Sequence, residues 1–459
     1  MSAVGEHAIV LGASLSGLFA ARVLADFYET VTVIERDHLP DKPIERKGVP
    51  QARHGHFLLS LGCEIADELF PGLLDEWEQD GAPVWRDGEF SKALMSFGGH
   101  TVVRTGRANA PIRAYYPSRP LLEWRVRRHV TALPNVRILD GLDLTEFTTS
   151  PGTNRITGVR CAARDTDVGN ELAADLVVDA MGRGSRTPAL LANLGHDGPP
   201  VDELTVQLNY TSQWLRLAPG TLTEHHAVIL PEPGRLTTFA LIGNEDDRWL
   251  LTVGTMVDMT PARDRAEMLE IAEKAAPAKF FNAVREAEPI GEVHHHRVPS
   301  NRWRRYDKLP QMPAGLLVTG DALCSFNPIY GQGMTMAAVD AMVLRDCLRG
   351  GTQSLSRRYF TQCTKKIRLA WQSSVGSDLA LPEVDGPRPV SMRLTNAFTK
   401  RILIACSTDP VVAGMFVRVM GMLEPPTKLM HPTMLARIAA ANLRKPVSQP
   451  QVRVPARAE

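Results

Sequence analysis

The stretch His7-Ala8-Ile9-Val10-Leu11-Gly12-Ala13-Ser14-Leu15-Ser16-Gly17 decides how this chain folds. His7 to Leu11 is continuously apolar in the manner of a central parallel strand, and Leu18, Ala20, Ala21, Val23 and Leu24 carry on as a helix. A second strand, Thr30-Val31-Thr32-Val33-Ile34, ends on Glu35. Strand, glycine turn, helix, strand and acid in that order make a dinucleotide-binding unit. The turn brings backbone N–H groups to a pyrophosphate at the helix N-terminus, and the acid accepts from ribose hydroxyls. Ser14 stands where the fingerprint has its middle glycine, so the backbone meets the pyrophosphate past a hydroxymethyl group.

A second signal lies far along the chain. The apolar run Leu316-Leu317-Val318-Thr319 delivers Gly320-Asp321-Ala322 and then Asn327-Pro328-Ile329-Tyr330-Gly331-Gln332-Gly333-Met334, from which a helix is expected to about Leu348. That order sets a carboxylate and a row of backbone N–H groups beside one ligand. The aspartate suits a polyol, and a helix N-terminus favours negative charge. A flavin offers both, in its ribityl hydroxyls and in a pyrimidine edge that becomes anionic on reduction. Between the two signals, Asp175-Leu176-Val177-Val178-Asp179-Ala180-Met181-Gly182-Arg183-Gly184-Ser185-Arg186 reads as another strand ending in an aspartate and a glycine-bearing turn.

The chain has 459 residues, too many for one ordinary core. The fold class expected is α/β, with a Rossmann-like nucleotide domain in two pieces, residues 1–198 and 299–350. Residues 199–298 form an inserted antiparallel sheet, with strands at Thr205 to Leu215, Ala227 to Leu230, Leu236 to Gly243 and Trp249 to Met256 and a helix at Arg263 to Ala275. Such a sheet roofs a substrate cavity against the nucleotide domain. Residues 351–444 read as helical, including Val390 to Met422 and His431 to Leu443, and 445–459 as a disordered tail.

A formal charge of +1 gives no basic excess for nucleic acid. Six scattered cysteines without a Cys-x-x-Cys pair fit a reducing cytoplasm. No signal peptide precedes the first strand, and no apolar run reaches membrane-spanning length. His294-His295-His296 lie on an expected strand, whose alternation keeps three side chains from converging on one metal, so no metal site is expected. Arg302, Arg304 and Arg305 beside Trp303 and Tyr306 read either as a solvated face or as a site for an anionic substrate or the NADPH phosphate.

Together these motifs resemble the group A, single-component FAD-dependent monooxygenases of the para-hydroxybenzoate hydroxylase-like superfamily, which have a glutathione-reductase-type FAD domain. The three fingerprints stand in order at Gly12–Gly17, Asp179/Gly182 and Gly320-Asp321, although Ala180 and Met181 separate Asp179 from Gly182. Within the superfamily, Arg46-Lys47-Gly48-Val49-Pro50-Gln51-Ala52-Arg53-His54-Gly55-His56, Asn301 to Leu309 and Asn327 to Gly331 resemble bacterial polyether-pathway epoxidases.

The resemblance implies that Gly12, Ser14, Leu15, Ser16 and Gly17 hold the FAD pyrophosphate, and Glu35 with Arg36 the adenosine ribose. Arg46 and Arg119 bracket the ribityl–phosphate section, and Lys47 belongs to the cofactor-binding residues. Asp179 and Gly320 belong to the cofactor motifs, Asp321 accepts from ribityl hydroxyls, and Pro328, Gly331, Gln332, Gly333 and Met334 face the isoalloxazine. No side chain is assigned as catalytic, because the chemistry is the cofactor's. The activity implied is reduction of FAD by NADPH or NADH as a visiting co-substrate, with O2 activated as the C4a-hydroperoxide. One oxygen is then transferred to an alkene of an apolar polyene or polyketide-like small molecule. Aromatic hydroxylation is the nearest alternative, followed by a non-redox FAD-binding role or double-bond reduction. The Trp-x-Trp-x-Ile-Pro signature of flavin halogenases is absent.

Overall fold

The computed structural model describes residues 3–163 and 169–444; the expected disordered tail, 445–459, lies outside the described residues. A five-stranded, all-parallel sheet forms the floor of the molecule. Its order is Leu316–Val318, Leu176–Asp179, Gly5–Leu11, Tyr28–Ile34, Val136–Leu139. Strands buried on both faces need unbroken apolar runs, and Ala8 to Leu11, Val31, Val33 and Leu316 to Val318 are almost wholly inaccessible. All three signature acids, Glu35, Asp179 and Asp321, follow the carboxyl ends of these strands, where ligands of open α/β sheets bind.

Helices Leu15–Leu24 and Gly333–Arg349 pack on this sheet and on each other. A three-stranded antiparallel sheet, Leu142–Thr149, Ile156–Ala163 and Gly169–Ala173, extends the same domain. The sequence reading did not separate this hairpin pair from the surrounding loops.

Above the floor lies an eight-stranded, mainly antiparallel sheet. It contains the expected strands as Val201–Arg216, His226–Ile229, Thr237–Gly243 and Arg248–Thr255. Ala93–Phe97, His100–Thr101, Glu288–Arg304 and Cys324–Ser325 join it from outside residues 199–298 or across that boundary. Ala93–Phe97 pairs in parallel with His226–Ile229, a contact between segments more than a hundred residues apart that no local pattern announces. Helices Arg265–Ala275 and Ala278–Glu286 cover the outer face.

The helical end differs from the expected Val390 to Met422 run. Helix Val390–Cys406 stops, and a new one, Pro410–Met420, starts after Asp409. The Asp409 carboxylate accepts from the N–H groups of Val411 and Val412, and Pro410 at the first helical position needs no donor partner. Val412, Ala413 and Phe416 of this apolar stretch are buried in the core. Among the described residues, no helix is long and apolar enough to cross a membrane.

Candidate active site

The glycine turn is shaped by close approach. Gly12 has φ +105°, and a Cβ there would lie 2.7 Å from the Ala180 carbonyl oxygen. A Cβ on Gly17 would stand 1.8 Å from the Gly12 carbonyl oxygen, so only glycine lets the helix sit down on the strand. Ser14 occupies the N-cap with extended backbone, and its hydroxyl caps nothing; it accepts from Arg119 Nη2 at 3.1 Å.

Glu35 is buried at the end of its strand. One carboxylate oxygen accepts from the Ala13 N–H at 2.7 Å and the other from the Asp37 N–H at 3.1 Å. Arg46 binds Glu35 at 3.3 Å, Asp37 at 3.1 Å and Glu123 at 2.7 Å, yet its buried Nη2 has no partner among the described residues. Arg119 pairs with Glu123 at 2.8 Å. Burial alone would raise the Glu123 carboxyl, but Arg119 and Arg46 hold it below the usual range. Glu123 was missed in the sequence, although its i,i+4 spacing from Arg119 on helix Arg119–Thr131 was a readable signal.

On the far strand, Gly320 has φ +58°, and its N–H donates to the buried Asp340 carboxylate at 3.1 Å. The Asp321 carboxylate makes no hydrogen bond to any described residue. Burial raises its pKa, and Arg183, Arg119 and Arg304 oppose that rise. Asp179 plays a different part: fully buried, it accepts from the Met181 N–H at 2.8 Å and from the Ser185 hydroxyl, fixing the turn from inside.

The loop Asn327–Gly331 hangs on one buried carboxylate. Asp378, at the end of helix Leu355–Asp378, accepts from Asn301 Nδ2 (2.7 Å), Asn327 Nδ2 (2.8 Å) and the Tyr330 hydroxyl (2.8 Å). Burial lifts its pKa to about 6 against these three donors. Gly331 then turns with φ +67° before helix Gly333–Arg349 begins. No sequence signal marked Asp378, which lies some fifty residues beyond the loop it holds.

One cavity of about 600 Å³ runs past all these features. Its polar lobe is lined by Gly12, Ser14, Leu15, Ser16, Glu35, Arg36, Arg46, Arg119 and Asp321. Pro328, Gly331, Gly333 and Met334 line its waist. The other lobe, under the large sheet, is apolar, with Trp85, Met95, Phe97, Val228, Leu230 and Ile242 among its walls. Gly17, Asp179, Gly320 and Gln332 stand behind the lining, and Lys47 is exposed and outside it.

The arginine cluster near residue 304 is committed elsewhere. Arg304 donates to the Ala322 and Arg183 carbonyls, Arg305 pairs with Asp202 and Asp307 while lying 4.1 Å over Trp303, and Arg302 pairs with Glu203. It is neither a solvated face nor an open anion site, because Arg304 and Arg305 are buried against these partners. His296 lines the cavity, whereas its neighbour His295 is exposed.

No family model matches the chain. Over 448 residues it is 36% identical to Protein Rv3254 of Mycobacterium tuberculosis, covering 96% of this chain and 94% of that protein, and it shares that protein's family. It is 28% identical over 365 residues to Kynurenine 3-monooxygenase of Salinispora arenicola (75% of this chain, 72% of that one). With Squalene epoxidase 2, mitochondrial, of Arabidopsis thaliana it shares 26% identity over 352 residues, 75% of this chain but 54% of that protein. The p-nitrophenol 4-monooxygenase PnpA from Pseudomonas putida superposes with TM-score 0.64 at 15% identity, covering 92% and 99% of the two chains. The flavin-dependent brominase Bmp2 does so with TM-score 0.66 at 13% identity, covering 95% and 98%.

The chain is thus similar in sequence to named oxygenases and in fold to flavin-dependent enzymes. The chain's own residues fit FAD at three independent points. A glycine cradle closes on the helix N-terminus, and among the described residues a buried guanidinium nitrogen of Arg46 lacks a partner and the Asp321 carboxylate at the cavity wall has no donor.

Proposed function

We propose that this protein is an FAD-dependent monooxygenase that uses NAD(P)H and O2 to epoxidise an alkene of an apolar, polyketide-like small molecule. The observation that carries the reading is the continuity of a single cavity from the glycine turn, past the Gly331–Gly333 loop, into an apolar chamber under the large sheet.

In this reading Gly12, Ser14, Leu15, Ser16 and Gly17 hold the pyrophosphate. Glu35 and Arg36 take the adenosine ribose, Arg46 and Arg119 the phosphate–ribityl section, and Asp321 accepts from ribityl hydroxyls. Asp179 and Gly320 act from behind by holding their turns. Bound FAD supplies the redox chemistry and the activation of oxygen. The chain's part is to bind, aim and keep water out. Backbone N–H groups of Gln332 and Gly333, at the N-terminus of helix Gly333–Arg349, would stabilise charge that develops on a bound flavin's edge, whereas the Gly331 N–H is held by the Pro328 carbonyl at 3.0 Å. The apolar chamber excludes water from the reacting oxygen.

Epoxidation is favoured over phenol hydroxylation by the state of the chamber's histidines. A phenol gains from a group that takes its proton near neutral pH, whereas an alkene needs none. Burial, the largest cause in each case, pushes His54 down to about 2, His56 to about 4 and His226 to about 3. Imidazoles held that far down are poor bases. Aromatic hydroxylation is kept as the second reading, on the general aromatic lining of Trp85, Phe57 and Tyr116.

The test is anaerobic mixing of the purified yellow protein with NADPH in stopped flow, followed by turnover under 18O2 with alkene and phenol candidates. Bleaching of the flavin with one labelled oxygen atom in an epoxide supports the proposal. A labelled phenol moves the assignment to hydroxylation, and a flavin that NADPH and NADH both leave oxidised refutes a monooxygenase role for this chain in isolation.

A further inference from the structure

The chamber's histidines carry information about its ligand through their hydrogen-bond chains. His54 Nδ1 lies 2.7 Å from the Ser212 hydroxyl, which lies 2.7 Å from the Thr252 hydroxyl, and Thr252 Oγ1 already accepts from the Gly55 N–H at 2.9 Å. All four side chains and backbone groups are held at or near the cavity wall, with His54, Ser212 and Thr252 buried. Among the described residues, Ser212 Oγ is the one acceptor within reach of the Thr252 proton. The Ser212 proton must then go to His54 Nδ1, or one buried hydroxyl proton is left without a partner. A neutral imidazole that accepts at Nδ1 carries its proton on Nε2. That Nε2 has no partner among the described residues, and His54 lines the cavity.

His226 repeats the arrangement on another strand. Its Nδ1 lies 3.0 Å from the Tyr116 hydroxyl, which has no other acceptor among the described residues; with Tyr116 donating, His226 also carries its proton on Nε2. Phe57 sits edge-on to the His226 ring at 5.3 Å.

We propose that His54 and His226 are paired, fixed-tautomer N–H donors that select an apolar substrate bearing acceptor oxygens, a carbonyl-containing molecule and not a plain hydrocarbon. This narrows the substrate class of the monooxygenase reading and rests on it. An unpartnered buried donor discriminates strongly against a ligand that lacks the matching acceptor, because a hydrocarbon leaves the N–H dry and unbonded. Two such donors in an otherwise apolar chamber are costly to keep for a hydrocarbon ligand. For an oxygenated one they set orientation, and so decide which double bond is presented to the flavin.

The experiment uses the FAD-loaded protein and a matched pair of probes, 1-tetralone and tetralin, which differ by one carbonyl. Dissociation constants are read from perturbation of the flavin absorbance and cross-checked by thermal stabilisation. The ketone is expected to bind at least tenfold more tightly than the hydrocarbon. The double variant His54→Phe/His226→Phe is expected to reduce that preference below twofold while keeping wild-type flavin content and leaving tetralin affinity intact or improved. Equal binding of the two probes by the wild type, or no binding of either, overturns the inference, and this comparison needs no variant to fold. A preference unchanged in the double variant also overturns it, as does loss of FAD from that variant, which would assign the donors to the cofactor. A yellow protein that oxygenates substrates yet shows no ketone preference sinks this inference alone and leaves the monooxygenase reading standing.

Discussion

Replacing Asp378 by alanine tests whether one carboxylate holds the Asn327–Gly331 loop. The substitution strands three donors, Asn301 Nδ2, Asn327 Nδ2 and the Tyr330 hydroxyl. Each buried donor left unsatisfied costs about 1–3 kcal/mol, roughly 3–9 kcal/mol for three. Against this stands the cost of burying the charge. The carboxyl is raised from 3.8 to about 6, which at pH 8 is about 3 kcal/mol at ~1.4 kcal/mol per unit. The difference predicts a net loss of order 3 kcal/mol at pH 8.

The sign with pH follows from linkage. A folded pKa above the unfolded one means stability present at low pH and lost as pH rises through about 6. Going from pH 8 to pH 5, the wild type therefore recovers about 1.4 kcal/mol that the alanine variant cannot, and the gap between them widens by that amount. Urea unfolding of both proteins at the two pH values measures it, with flavin absorbance reporting the loop. A gap below about 1 kcal/mol at both pH values would refute the idea that Asp378 organises Asn327 and Tyr330. A gap that narrows on acidification would refute the raised pKa.

Three further outcomes are expected. Asp321→Ala should purify largely colourless, with FAD affinity down at least about tenfold, because its carboxylate has no protein donor and is replaceable only by the ligand's hydroxyls; full flavin occupancy would count against the site. Glu35→Ala should weaken FAD binding more than it changes the coupling of NADPH use to product, since Glu35 braces Ala13 and Arg46 far from the chamber; unchanged affinity by flavin titration would contradict this. Asp340, raised by burial to about 7, loses stability as pH climbs through neutrality. Asp340→Asn keeps an acceptor for Gly320 and should flatten the thermal-stability profile between pH 5.5 and 8, which the wild type is expected to lose by roughly 2 kcal/mol; identical profiles would exclude Asp340 as the titrating group.

The nucleotide fold was legible in the chain because its requirements are local. An unbroken apolar strand, glycines where a Cβ would strike a carbonyl at 1.8–2.7 Å, and an acid at a strand end all sit within a few dozen residues. The same holds for Gly320-Asp321 and the helix that starts at Gly333. What tertiary structure alone decided are the partners drawn from distant segments: Asp378 with Asn301 and Asn327, His54 with Ser212 and Thr252, Ala93–Phe97 beside His226–Ile229. Such pairings leave no periodicity to read, since a hydrogen bond between residues fifty to two hundred apart constrains neither neighbour's pattern. Protonation follows the same rule. A histidine or aspartate in a sequence has its ordinary pKa, and only the folded chain, by removing water and choosing the partner of each lone pair, makes His226 a donor and Asp378 a hub.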